Sequence, residues 1–381
     1  MKKETILLHN GNEIDRETGA LSIPIYNTST FHQKDFEKAQ EWEYSRSGNP
    51  TRNALENTLA AIENGSHGYA FSSGMAAISS TVLALFRPGD HLVATKDIYG
   101  GAWRFFSKFI GDFGVEISFA DFTDIESAEK LIKPNTKAIY IESPTNPLMK
   151  IIDIARCAKL AKNHGLISII DNTFMTPFLC RPLDLGIDVS IHSATKFLGG
   201  HSDLIAGAVM TKSDELARKI GFTQNALGAV LGPNDSWLLM RGIKTLGARM
   251  TAEGESSGKI ASWLKDQPWV SEVLYPGLPG HPGYDINRTQ SDGPGSVLSF
   301  KTDRFETAKR ILKNTKVWSI AVSLGGVDSI MSYPVTMSHA SIPAETRKEL
   351  GISDTLIRLS VGLEHADDLI EDIAQAAGGS L

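Results

Sequence analysis

Three groups of residues in this chain have types and spacing that could do chemistry together. Asp171 closes the apolar run LISIID (166–171), and Ser193, Thr195 and Lys196 follow the run DVSIHS (188–193). Ser72, Ser73, Gly74 and Met75 lie between a short apolar run and the helical pattern MAAISSTVLALF. A Ser-Ser-Gly turn that opens a helix offers free N–H groups and a positive dipole end to an anion. A lysine amine drawn partly out of water is a nucleophile and a base. Singly, each has a plainer reading: a strand-end aspartate is usually a cap, such a turn is usually only a turn, and a lone lysine is usually a solvated charge.

As a set they meet the demands of one cofactor, pyridoxal phosphate (PLP). That group needs an amine to condense with its aldehyde, a carboxylate to keep its pyridine nitrogen protonated, an anion hole and an aromatic face. Lys196 supplies the amine and Asp171 the carboxylate. Gly74, Met75, Ser193 and Thr195 supply phosphate donors, and Tyr99 in DIYGG supplies the face.

The elements that must position them read as an α/β fold. HLVAT (91–95), AIYIES (138–143), LISIID, DVSIHS and LIAGAVM (204–210) read as buried strands. TRNALENTLAAIENG reads as a helix ended by Gly65 as its C′ glycine, and IIDIARCAKLAKNHG as a helix with residues 154, 157, 160 and 161 on one face, ended by Gly165. Strand–helix alternation predicts a mostly parallel sheet with helices on both faces, and ligands at its carboxyl edge. The first 49 residues are polar and turn-rich, as in NGNEID and SRSGNPT, and read as an arm without a sustained period. Residues 50–240 read as the large cofactor-binding domain. Residues 241–381 read as a smaller C-terminal α+β domain: a helical stretch TLGARMTAEGESSGKIASWLKD, the strand-like runs SVLSF and LIRLSVGLE, and a last helix ADDLIEDIAQAA.

Composition sets bounds. The 381 residues carry 38 basic and 44 acidic side chains, a net charge of -6, which gives no electrostatic footprint for nucleic acid. Two cysteines, Cys157 and Cys180, make no disulfide framework and fit a reducing compartment. The run Ile6 to Leu8 is too short for a signal-peptide core and no window suits a membrane span, so the cytoplasm is the expected location. No G-x-G-x-x-G follows a strand, as a nicotinamide dehydrogenase would want. GESSGK is one residue short of a P-loop and lies in a helical stretch. The histidines are scattered, with His192 and His201 nearest to each other, so no metal site is expected. A non-catalytic binding protein on this fold would be expected to lack Lys196 or Asp171, and both are present.

HSATKFLGGHSD, DNTF, FSSGMAAI, DIYGG, ESPTNPL, YSRSGNPTR and SDTLIRLSVGLE together resemble the Cys/Met-metabolism enzymes of fold-type I, the cystathionine lyases and synthases, from about residue 5 to residue 375. The resemblance implies the PLP-dependent transferase fold, with Lys196 and Tyr99 at the reacting centre and Tyr99 stacked on the ring. It implies that Tyr44 and Arg46 reach across a dimer interface to the neighbour's cofactor phosphate, within a homotetramer of two active dimers. It places Asn146 near the cofactor's phenolic oxygen and the substrate, and Ser323 and Arg358 at the substrate α-carboxylate. VDSIMSYPVTMSHASIP and VGLEHADDL are most similar to bacterial β-lyases of the Gram-positive type, which implies β-elimination of cystathionine to homocysteine, pyruvate and ammonia. Some γ-acting relatives carry a glutamate immediately before the serine of the SLGG loop, where this chain has Val322. A γ-lyase or γ-synthase is the alternative.

Overall fold

The computed structural model describes residues 1–11, 14–15, 17–340 and 342–378. The first sheet has seven strands: β1 (His67–Phe71), β2 (His91–Thr95), β3 (Glu116–Ala120), β4 (Thr136–Glu142), β5 (Ile167–Asp171), β6 (Val189–His192) and β7 (Gly207–Thr211), in the order β1-β7-β6-β5-β4-β2-β3. Only β7 runs against its neighbours, so the sheet is mostly parallel. The period of two in the strands divides the core between two faces. Ile139, Ile141 and Ile170 join an apolar cluster with Leu55, Leu59 and Ile62 of helix α2 (Pro50–Ile62), while Ala138, Tyr140 and Ile169 join another with Ile78, Val82 and Leu85 of helix α3 (Gly74–Leu85).

The second sheet holds β8 (Val270–Leu274), β9 (Val297–Thr302), β10 (Ser319–Ile320), β11 (Ile330–Ser332) and β12 (Leu356–Ser360), in the order β10-β11-β12-β9-β8. Its apolar face packs with the helices Leu246–Lys265 and Ala366–Ala376. The Ser299 hydroxyl of β9 donates to the Pro147 carbonyl at 2.7 Å, which ties this sheet to the loop after β4.

Three readings need correction. The α2 helix does not end at a C′ Gly65: Asn64 takes the left-handed conformation (φ 56°) and Gly65 comes next as C″. Asn64 N–H bonds Ala61 O at 3.2 Å and Gly65 N–H bonds Ala60 O at 2.8 Å, the paired bonds of a Schellman motif, in which a short amide side chain tolerates positive φ. The arm is not wholly without regular structure, since Lys3–His9 forms helix α1, which buries Leu7 while Lys3 donates to Phe178 O at 2.8 Å. The NGNEID turn lies partly outside the described residues. Strands β1 and β3 are additions to the expected set, because HGYAF and EISFA have no buried-strand run of apolar residues.

Gly207 shows how the sheet sets the site. A Cβ there would meet the Ser73 carbonyl at 2.1 Å. We predict that Gly207→Ala destabilises the protein by about 1–3 kcal/mol, as overpacking against backbone does. Because Ser73 caps α3, the same variant should also weaken PLP retention. A thermal melt and a PLP titration check both, and an unchanged affinity would uncouple β7 from the start of α3.

Candidate active site

Strands β2, β4, β5 and β6 are parallel, so their carboxyl ends converge on one edge. There, against the second sheet, lies a cavity of about 540 Å³. Every predicted site residue except Tyr44 and Arg46 lines it: Gly74, Met75, Tyr99, Asn146, Asp171, Ser193, Thr195, Lys196, Ser323 and Arg358.

Asp171 sits at the last position of β5 and is buried. Its Oδ1 accepts from Thr173 N–H at 3.0 Å and from the Thr173 hydroxyl at 2.5 Å. Thr173 Oγ1 in turn accepts from Ser193 N–H at 2.8 Å, so one hydroxyl fixes the carboxylate relative to the loop after β6. Burial pushes the Asp171 carboxyl up, and the Thr173 bonds only partly offset this. No Lys or Arg forms a salt bridge with it among the described residues.

Lys196 reaches across from that loop to the loop between β10 and β11, where its Nζ hydrogen-bonds Ser323 Oγ. Burial, then the nearby Arg358 charge, pulls its pKa down to about 8. Arg358, on β12, is 2% exposed. Ile357 and Leu359 point into the apolar cluster as alternation requires, but the opposite face is not solvent. Arg358 Nη1 donates to Asn146 Oδ1 at 2.8 Å and Nη2 to Ser323 O at 2.7 Å, while Nε has no hydrogen-bond partner among the described residues. Burial lowers this guanidinium to about 10, still cationic at neutral pH.

Asn146 is held on three sides. Its N–H donates to Glu142 Oε1 at 3.0 Å and its carbonyl accepts from His339 Nε2 at 2.9 Å. Burial pulls His339 down to about 4, so the ring is neutral. With Nε2 as donor, Nδ1 must accept the Ser338 hydroxyl, 2.8 Å away. Glu142 is a cavity residue that the sequence reading missed, although it closes β4 as Asp171 closes β5 and stands opposite it in register. Its other oxygen accepts from Tyr99 N–H at 2.9 Å, so one carboxylate fixes both Tyr99 and Asn146. Burial, with the Asp171 charge beside it, raises the Glu142 carboxyl well above its ordinary value. The Tyr99 ring rests on Gly101, where a Cβ would come within 2.4 Å of it.

At the anion end, the Ser73 hydroxyl caps α3 by accepting from Ala76 N–H at 3.0 Å. The N–H groups of Gly74 and Met75, in the first turn, have no partner within the helix by position. A Cβ at Gly74 would stand 2.8 Å from Ser193 Cβ, so glycine keeps the space between helix start and Ser193 open. Thr195 directs both its N–H and its hydroxyl to Ala206 O at 3.1 Å, and can donate to an anion only by releasing that carbonyl. Tyr44 and Arg46 lie apart from this cavity. The Arg46 guanidinium sits 5.3 Å from the Tyr44 ring centre and its Nε donates to Asn225 Oδ1 at 3.3 Å.

A sequence model described as Cys/Met metabolism PLP-dependent enzyme matches residues 4–377. The chain belongs to this family. A cystathionine γ-lyase of Bacillus subtilis (strain 168) is 52% identical over 99% of both chains, and a cystathionine β-lyase of the same organism is 51% identical over 98% of this chain and 95% of its own. Among solved structures, a cystathionine γ-lyase from Lactobacillus plantarum complexed with L-serine superposes with a TM-score of 0.97 at 46% identity, covering 100% of this chain and 99% of that one. The fold is therefore the fold-type I PLP-dependent one, and the cofactor is pyridoxal phosphate. The residues present fit it: a buried carboxylate in no salt bridge among the described residues, a partly desolvated amine, and a helix start kept open by glycine.

The lowered Lys196 pKa gives a signed prediction. Only the neutral amine attacks an aldehyde, and the neutral fraction grows as pH rises through about 8. PLP uptake by the apoprotein should therefore accelerate with pH up to that region and then level off. Removing the Arg358 charge, as in Arg358→Met, should move the midpoint upward. Borohydride reduction and peptide mapping should then place the label on Lys196, and label on another lysine would overturn the assignment.

Proposed function

We propose that the protein is a carbon–sulfur lyase that cleaves L-cystathionine by β-elimination to homocysteine, pyruvate and ammonia. PLP, when bound, supplies an aldehyde that takes up the substrate amine and a protonated ring that accepts the electrons of the broken Cα–H bond. Arg358 presents a planar fork to the α-carboxylate, with Asn146 and Ser323 O fixing its angle. That anchor orients the Cα–H bond towards Lys196 Nζ, which takes the proton. Asp171 keeps the ring nitrogen protonated, and Tyr99 backs the ring face.

What supports the β reading is the likeness of VDSIMSYPVTMSHASIP and VGLEHADDL to bacterial β-lyases, and the cavity supplies a base that suffices for it. Among the described residues lining the cavity, the titratable groups are Tyr99, Arg104, Glu142, Asp171, Lys196 and Arg358. Glu142 has both oxygens committed to backbone N–H groups, so Lys196 is the one amine free to move protons. β-Elimination asks for one proton off Cα and one onto the departing sulfur, which one amine can deliver in turn. γ-Elimination needs a further transfer at Cβ, which the same amine can also make in turn, so the products decide between the two. The second reading, γ-elimination, is favoured by the relatives that carry that name at 52% and 46% identity. Val322, 63% exposed at the cavity, offers no carboxylate to a substrate's distal ammonium under either reading.

We further propose that each pocket is completed by a second subunit, in a tetramer of two active dimers. The arm supports this: Leu21 is 76% and Phe36 93% exposed, and Tyr44 and Arg46 do not line their own subunit's cavity. Among the described residues no helix is long and apolar enough to cross a membrane, and a cytoplasmic location is part of the same proposal.

Product analysis on L-cystathionine decides the reaction. Pyruvate with homocysteine supports β-elimination, and 2-oxobutyrate with cysteine overturns it in favour of γ-elimination. Arg358→Lys keeps the charge but loses the fork, and should cost roughly 2–4 kcal/mol in kcat/KM with the cofactor absorbance unchanged. A fall of less than about threefold would place the carboxylate elsewhere.

A further inference from the structure

Arg52 is 3% exposed on α2, and the proposed chemistry does not use it. Its Nη1 donates to Ser45 O at 2.7 Å and its Nη2 to Arg46 O at 3.1 Å. A buried guanidinium thus holds two successive carbonyls of the arm, at the residue that presents the Arg46 side chain. Nε of Arg52 lies 3.6 Å from Glu56 Oε1. That same oxygen accepts from Ala70 N–H at 3.0 Å and from Gln224 Nε2 at 3.5 Å, and Gln224 Nε2 also donates to Ala70 O at 2.9 Å. Ala70 lies in β1, one residue before the end of the strand that runs into Ser72, Ser73 and Gly74. Asn225, next to Gln224, is the residue that receives Arg46 Nε.

We propose that Arg52 is a positioning residue for Arg46: it fixes the arm backbone so that the Arg46 guanidinium is offered to the phosphate of the neighbouring subunit's cofactor. This rests on the reading that the arm serves the neighbour's pocket. The fork geometry is the reason for arginine at this position, since two carbonyls one residue apart need two divergent N–H groups from one rigid plane. A lysine has the charge but a single tetrahedral ammonium, and cannot hold both carbonyls at those positions. Glu56 offsets the buried charge and joins the arm to β1. The arm that serves one pocket and the strand that leads into the other pocket's phosphate cradle therefore share one buried cluster.

The test uses subunit mixing. Arg52→Lys, with Arg52→Met as a second variant, should assemble normally and lower affinity for PLP about ten- to a hundredfold, as misplacement of a binding group by about an ångström does. Mixed with Lys196→Ala under conditions of subunit exchange, the Arg52 variant should regain activity, because the hybrid holds one pocket with its own Lys196 and an intact arm from the partner. Mixed with Arg46→Ala it should regain none, because every pocket then meets a defective arm. The mixture of Arg46→Ala with Lys196→Ala is the control. No recovery in that control shows that the arm does not serve the neighbour, which removes the basis of the proposal. Recovery in the control but not with Arg52→Lys shows that Arg52 acts within its own subunit and overturns the proposal alone. Failure of both Arg52 variants to fold also overturns it, by making Arg52 a support of the fold rather than of the arm.

Discussion

The site depends on two buried charged groups that no salt bridge pairs among the described residues. Asp171 is held by the N–H and hydroxyl of Thr173, and Arg358 is hydrogen-bonded to an amide and a carbonyl. Each is expensive to hold away from water, and burial shifts both towards their neutral forms. Pairing them with each other would relieve the cost and abolish the site. The structure instead keeps them apart, one on each sheet, with Lys196 between them bonded to Ser323. Under the proposed function, Asp171 would pair with a protonated pyridine nitrogen and Arg358 with a substrate carboxylate, so that charge pairing would supply binding energy at this site.

Holding such charges in place requires supports that do not neutralise them. Thr173 does this for Asp171, offering two hydrogen bonds and no charge. Asn146 does it for Arg358, and its own backbone is clamped by Glu142 and His339. Glu142 is a carboxyl that burial shifts towards its neutral form, and its oxygens are spent on the backbone N–H groups of Tyr99 and Asn146, so it sets geometry instead of pairing with Arg358. The Ser299 to Pro147 bond keeps the second sheet docked on the same loop, which holds β12 and Arg358 at a fixed distance from β5 and Asp171.

Much of this is legible in the sequence, for physical reasons. Buried parallel strands are apolar runs, and the residues just after them lie at the ligand edge, so Asp171 and the Ser193–Lys196 turn can be placed from pattern alone. Glu142 carries the same signal at the end of β4 but does not stand out, because the cofactor's demands name one carboxylate and not two. Alternation in LIRLS puts Arg358 opposite Ile357 and Leu359 but cannot say what covers that face, since the cover comes from a loop more than 200 residues earlier. The resemblance to a family supplies that role. His339 acts through a contact with a segment 193 residues away, and Thr173 and Arg52 act through single side chains on nearby backbone or carboxylate groups, none of which leaves a period in the sequence. The Asn64 cap is easily misread because glycine is the commoner residue at positive φ, and here an asparagine takes it.

Asp171→Asn asks whether the buried Asp171 carboxylate is what keeps the cofactor ring protonated. The amide oxygen can keep both Thr173 bonds, which turns its NH₂ towards the ring nitrogen, where it can be met only by an unprotonated nitrogen. Steady-state turnover should then fall by roughly a hundredfold or more, as removal of a buried electrostatic group does, while PLP remains bound. Near-normal turnover by a PLP-saturated Asp171→Asn enzyme would contradict the account, because the ring would then be held protonated by some other group.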